Sequence, residues 1–103
     1  MKSIVIVGFG GFGREVNWLA KECGRAVIGF LDDKVPPGKK GNYTILGGLD
    51  VWSDYPDAEF VVAIGNPRVR KEIVEKLTSK GVTDFATLIH PSVKMDESVD
   101  VGK

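Results

Sequence analysis

Apolar residues fall into two alternating patterns along this chain, short continuous runs and stretches with a helical period. Ile4-Val5-Ile6-Val7 is a β-branched run that predicts a first strand over 3–7. From Gly11 to Cys23 the period becomes helical, with Val16, Leu19, Ala20 and Cys23 on one face and Gly24 as the stop. Residues 26–31 form a second apolar run that ends at Asp32 and Asp33. Lys34 to Tyr43 carries Pro36, Pro37, Gly38 and Gly41 and reads as a loop. Thr44-Ile45-Leu46 predicts a short strand before Gly47 and Gly48. A short helix follows over Leu49 to Asp54, closed by Pro56, and then another buried strand over Glu59 to Ile64.

Gly65-Asn66-Pro67 punctuates the chain next. Asn66 suits a helix N-cap and Pro67 the first helical position, where its missing N–H costs nothing. The helix should reach Ser79 or Lys80, with Val69, Ile73, Val74 and Leu77 inward, Gly81 at its end, and Glu72 paired with Lys76 on the outer face. Asp84 to Ile89 offers a last strand. Continuous apolar strands separated by helices predict a parallel sheet covered on both faces, a small Rossmann-like α/β domain over residues 1–91. After His90 and Pro91 no helical period remains. Over 92–103, Val93 and Val99, and again Met95 and Val101, recur six apart. That is the spacing of a hexapeptide-repeat β-helix, although a dozen residues are too few to bury such a core and would also suit an exposed polar tail.

Composition narrows the function classes. The chain has 103 residues, about one domain's worth. Its 14 basic and 14 acidic residues cancel, which gives no electrostatic footprint for nucleic acid or an anionic membrane. A lone cysteine, Cys23, excludes an internal disulfide and reads as an inert, partly buried thiol. No apolar stretch approaches the ~20 residues of a membrane helix, and Lys2-Ser3 followed by a short β-branched run does not form a signal peptide. The expectation is a cytoplasmic protein.

The candidate chemistry gathers at strand ends. Gly8, Gly10 and Gly13 have the spacing of a dinucleotide-binding fingerprint. In that role Gly8 permits the tight exit from the strand, Gly10 lets backbone approach a phosphate, and Gly13 lets the helix pack closely on the sheet. Asp32 and Asp33 end the second strand about twenty residues on, where such a fold keeps the acid for ribose hydroxyls. Alternation along extended chain would turn one carboxylate to the ligand and the other to water. Gly65-Asn66 would present backbone N–H groups and an amide to the same cleft. Arg68 and Arg70 oppose the helix dipole in the first turn, which suggests a phosphate contact for one of them. His90 has no metal-ligand or nucleophile partner at a recognisable spacing and reads as a turn residue. Trp18 and Trp52 read as packing residues. A nicotinamide dinucleotide and a nucleotide sugar both remain open as ligands.

Taken in order, residues 8–16, 29–33, 45–48 and 63–67, Arg70-Lys71 and Leu88-Ile89-His90-Pro91-Ser92-Val93 resemble one family along nearly the whole chain. It is the N-terminal domain of the bacterial nucleotide-sugar acetyltransferases, which include sialic acid O-acetyltransferases and bacillosamine and perosamine N-acetyltransferases. The resemblance implies a Rossmann-like domain that binds a UDP-sugar or similar nucleotide sugar. It also implies a C-terminal left-handed β-helix that binds acetyl-CoA, forms trimers and carries the catalytic histidine. Residues 92–103 would then open that β-helix, the acetyl-CoA site would be absent here, and the chain would bind substrate without catalysing. By similarity Gly8, Gly10, Gly11, Phe12, Gly13, Gly65, Asn66 and Arg70 would meet the diphosphate region, and Asp32 or Asp33 the nucleoside. Phe9 and Phe12 depart from the family's usual small residue and histidine at those positions. An NAD(P)-binding module and a stand-alone regulatory nucleotide-binding domain are the alternative expectations.

Overall fold

The computed structural model describes residues 2–86. The sheet is built from β1 (Ile4–Val7), β2 (Val27–Leu31), β3 (Gly38–Lys40), β4 (Tyr43–Gly47) and β5 (Glu59–Val62), in the order β3-β4-β2-β1-β5. β1 pairs in parallel with both β2 and β5, and β2 pairs in parallel with β4. β3 alone is antiparallel, at the edge beside β4.

The continuous apolar runs are explained by burial on both faces. Ile4 and Ile6 face one core with Phe30, Ile45 and Val61, and Val5 and Val7 face the other with Leu31, Phe60 and Val62. α1 (Gly11–Glu22) covers the first face through Val16 and Ala20, as its period predicts. α2 (Pro67–Lys80) covers the second through Leu77, together with the 3-10 helix Leu49–Asp54. Asn66 caps α2 by accepting from the amides of Arg68 at 2.9 Å and Val69 at 3.2 Å, and Gly81 ends it in the left-handed conformation.

Opposite faces for the two helices follow from topology. From β1 the chain crosses by way of α1 to β2 on one side. From β5 it crosses by way of α2 to Phe85, which forms a parallel bridge with Phe60 on the other side. Right-handed crossovers in opposite directions put their helices on opposite faces. The reversal lies between β1 and β5, and there the carboxyl ends of the strands part to leave a crevice.

Four expectations need correction. The loop Lys34–Tyr43 contains β3, whose pairs Gly38 with Ile45, Lys39 with Thr44 and Lys40 with Tyr43 form a hairpin. Its three residues are exposed, so no apolar pattern marks them. Val69 is not inward: it lies in the first turn of α2, beyond the sheet edge, and is 40% exposed. Trp18 is no core residue at 58% exposure, whereas Trp52 packs on the second core beside Gly81. Lys76 reaches across to Asp33 rather than along the helix to Glu72. Of the predicted strand Asp84–Ile89 the structure shows the bridge at Phe85, while the rest of it, His90 and the tail 92–103 lie outside the described residues.

Candidate functional site

The crevice at the reversal point is a cleft of about 500 Å³. The ends of three parallel strands form its floor: Val7 and Gly8 from β1, Leu31 and Asp32 from β2, and Ala63 and Ile64 after β5. The loop Phe9–Phe12 forms one wall, and Leu49, Val69 and Ile73 form the other.

Two glycines shape the loop. Gly8 leaves β1 at φ +109°, and a side chain there would come within 2.9 Å of the Ala63 carbonyl. Gly13 sits against it on α1, where a Cβ would be 2.1 Å from the Gly8 carbonyl oxygen. No side chain larger than hydrogen fits that contact, so the helix approaches the strand end as the spacing predicts. α1 begins at Gly10 with no side-chain cap and no acidic residue in its first turn. Its orphan N–H groups and dipole therefore present an uncompensated positive end to the cleft, the arrangement that favours an anion.

The two aspartates are both occupied, against the expectation that one would face the ligand and the other water. Asp32 Oδ2 accepts the Phe9 amide at 2.9 Å and Oδ1 accepts the Lys34 amide at 2.8 Å, which ties the glycine loop to the end of β2. Asp33 Oδ1 accepts the Leu49 amide at 2.8 Å and so caps the 3-10 helix from a distance in sequence. Its other oxygen stands 3.8 Å from Lys76 Nζ, with both side chains about half exposed.

Of the residues expected at a ligand, Gly8, Gly10, Gly11, Phe12, Asp32, Asp33 and Gly65 line the cleft. Gly13 is buried beneath the loop, and Asn66 spends its side-chain oxygen on the α2 cap. Arg70 lies along the flank of α2 with Pro67, Lys71, Val74 and Glu75, away from the cleft lining. Sequence reasoning did not single out Lys34, Leu49, Ile64 and Ile73, which come to the cleft from loops and helices whose relation only the topology reveals. Phe9, met before only as a departure, packs edge-on against Phe30 and Tyr43. Among the described residues no group of three His, Cys, Asp or Glu side chains is placed to hold a metal ion, and no helix is long and apolar enough to cross a membrane.

The PglD N-terminal domain matches residues 3–77. The chain belongs to this family. It is 34% identical over 108 residues to a UDP-N-acetylbacillosamine N-acetyltransferase of Bacillus subtilis (strain 168), an alignment that covers 100% of this chain and 50% of the relative. In three dimensions it resembles the acetyltransferase domain of PglB from Neisseria gonorrhoeae FA1090, with a TM-score of 0.71 and 29% identity over 88% of this chain and 45% of that one. A mutant of perosamine N-acetyltransferase from Caulobacter crescentus, in complex with CoA and GDP-perosamine, gives a TM-score of 0.73 and 25% identity, with 89% and 44% covered. The chain thus spans about half the length of the relatives it matches. The mostly parallel five-stranded sheet with flanking helices is the Rossmann-like architecture of PglD-type domains.

Proposed function

We propose that this chain is the nucleotide-sugar-binding domain of an acetyl-CoA-dependent sugar N- or O-acetyltransferase. The observation that carries the reading is the cleft itself. In a chain of the PglD N-terminal domain family, an uncapped helix N-terminus and two strand-end aspartates converge on one crevice at the reversal of the sheet.

The amides that open α1 would hold the diphosphate, with Gly10 and Gly11 giving the backbone close access. Beyond them, Asp33 offers an acceptor to the nucleoside. Gly65 and Phe12, at the cleft margin, border the sugar. In the full reaction the sugar's amine or hydroxyl attacks the acetyl thioester while a base takes its proton. This chain's contribution is to fix the nucleotide end, so that the reacting group is presented at one place and orientation. The thioester site, its base and any trimeric assembly belong, on this reading, to sequence outside the domain.

Calorimetric titration of the 103-residue chain with UDP-sugars, GDP-sugars and NAD(H) tests the proposal. Saturable binding of a nucleotide sugar is expected. Binding of NAD(H) with no response to any nucleotide sugar would favour the dinucleotide alternative and overturn it.

A further inference from the structure

The pair Asp33–Lys76 is not explained by folding alone. Asp33 Oδ1 is committed to the Leu49 amide, but Oδ2 has only the Lys76 ammonium nearby, at 3.8 Å. That separation exceeds the ~2.7–2.9 Å of a charge-assisted hydrogen bond. Among the described residues neither the outward oxygen nor the ammonium makes a hydrogen bond. Between two half-exposed side chains such a pair adds little stability. It does, however, set an acceptor and a donor side by side at the rim of the cleft. Leu49, Ile64 and Ile73 line the same part of the cleft and leave an apolar slot suited to a flat ring.

We infer that Asp33 and Lys76 together read the imide edge of a uracil base and select uridine over cytidine nucleotides. The inference rests on the nucleotide-sugar reading of the cleft. Orientation comes from the other end of the ligand: with the phosphates on the glycine loop, the base enters with its ribose toward α1. Asp33 lines the cleft and Lys76 stands beyond it on α2. The ring position nearer the sugar therefore meets the carboxylate, and the exocyclic group further out meets the ammonium. In uracil these are N3–H, a donor, and O4, an acceptor, and both are matched. In cytosine they are a bare N3 and an amino group, so a lone pair faces Asp33 and N–H groups face Lys76. Recognition of a base by its Watson–Crick edge, with apolar contact to its faces, is a general mode. Here two side chains from different elements supply it.

The test compares UDP, CDP and GDP binding by calorimetry to the whole chain and to Lys76→Met and Asp33→Asn. Lys76→Met keeps the aliphatic stem at an exposed position and removes the charge. Asp33→Asn retains an oxygen for the Leu49 amide and turns the outward acceptor into a donor. The native chain is expected to prefer UDP over CDP by about tenfold or more. Lys76→Met should weaken UDP and leave CDP nearly unchanged, and Asp33→Asn should narrow the preference further or reverse it. UDP and CDP binding equally, or a preference that survives Lys76→Met, overturns the inference and leaves the nucleotide-sugar reading intact. So does binding of GDP with neither pyrimidine nucleotide. If none of the three binds, both fall together.

Discussion

The Phe9 amide donates to Asp32 Oδ2 at 2.9 Å, so the acid that ends β2 holds the protein's own glycine loop. The second oxygen of Asp32 takes the Lys34 amide at 2.8 Å, and together the two bonds fix the cleft wall relative to its floor. In this domain Asp32 shapes the site through backbone. The neighbouring Asp33 keeps an oxygen directed outward.

Asp32→Ala should therefore destabilise the fold before any ligand is considered. It leaves the part-buried Phe9 amide without its acceptor, at a cost of about 1–3 kcal/mol. For a domain of this size each kcal/mol corresponds to roughly 4–8 °C in Tm. Urea denaturation and calorimetry read both quantities. A change under about 0.5 kcal/mol would mean that the loop holds its shape without Asp32.

Phe9→Ala tests the same wall from its apolar side. The Phe9 ring stands 5.0 Å from Phe30 and 5.5 Å from Tyr43, both edge-on, and the Arg14 guanidinium lies 5.6 Å above it. Phe30 and Tyr43 themselves meet at 5.7 Å, so the ring joins the glycine loop to β2 and to the β3–β4 hairpin. Each such aromatic pair contributes about 0.5–1.5 kcal/mol beyond area burial. We expect Phe9→Ala to cost about 1–3 kcal/mol on that basis. It should also speed hydrogen exchange at the amides of the hairpin, Gly38 to Gly47. Unchanged exchange there would mean that the triad does not tie hairpin to loop.

The elements legible in the sequence were those whose burial imposes a pattern. β1, β2 and β5 are almost wholly buried and read as continuous runs, and α2 is bracketed by Asn66, Pro67 and Gly81. β3 left no such mark, because Gly38, Lys39 and Lys40 are held by hydrogen bonds at an exposed edge. The signal that could have revealed it is Gly41-Asn42, two residues between Lys40 and Tyr43, with Gly41 at φ +64° making the hairpin turn. For the site, the glycine spacing and the paired aspartates were visible. The division of labour between the aspartates was not, since it depends on Phe9 and Leu49 arriving from 23 and 16 residues away. Lys76 was likewise assigned to Glu72 by helical spacing, whereas the way α2 crosses the sheet brings it to Asp33.

Acid should weaken one surface tie selectively. A hydrogen bond from Lys80, and then that lysine's charge, hold the Asp50 carboxyl below its ordinary value of 3.8. A carboxyl with a lowered folded pKa favours the native state at all pH above the unfolded value. That contribution disappears as pH falls from 3.8 through the lower folded value. Asp50→Asn should therefore lower Tm slightly at neutral pH and not at all at the acid end. Because the carboxylate is exposed, about 1 M salt should erase the difference by screening. Thermal melts across pH 2–7 at low and high salt would show it, and a difference that persists in acid would mean that the tie to Lys80 is not its source.

The two loop glycines should separate folding from ligand access. At Gly13 a methyl group would be driven to 2.1 Å from the Gly8 carbonyl oxygen, a backbone atom that cannot rotate aside. Gly13→Ala must push α1 off the end of β1, and overpacking of this kind costs about 1–3 kcal/mol or more. At Gly10 the backbone is extended, φ −137° and ψ −165°, and nothing lies within 4 Å of an added Cβ. Gly10→Ala should thus stay within about 1 kcal/mol of the native stability, the scale of an N-cap change. The new methyl would stand at the opening of the helix that the diphosphate is proposed to approach, so nucleotide affinity should fall although the fold is kept. Denaturation and titration of both variants give the pattern: Gly13→Ala loses stability first, Gly10→Ala loses binding alone. If Gly10→Ala bound a nucleotide sugar as tightly as the native chain, the phosphates would have to lie elsewhere in the cleft.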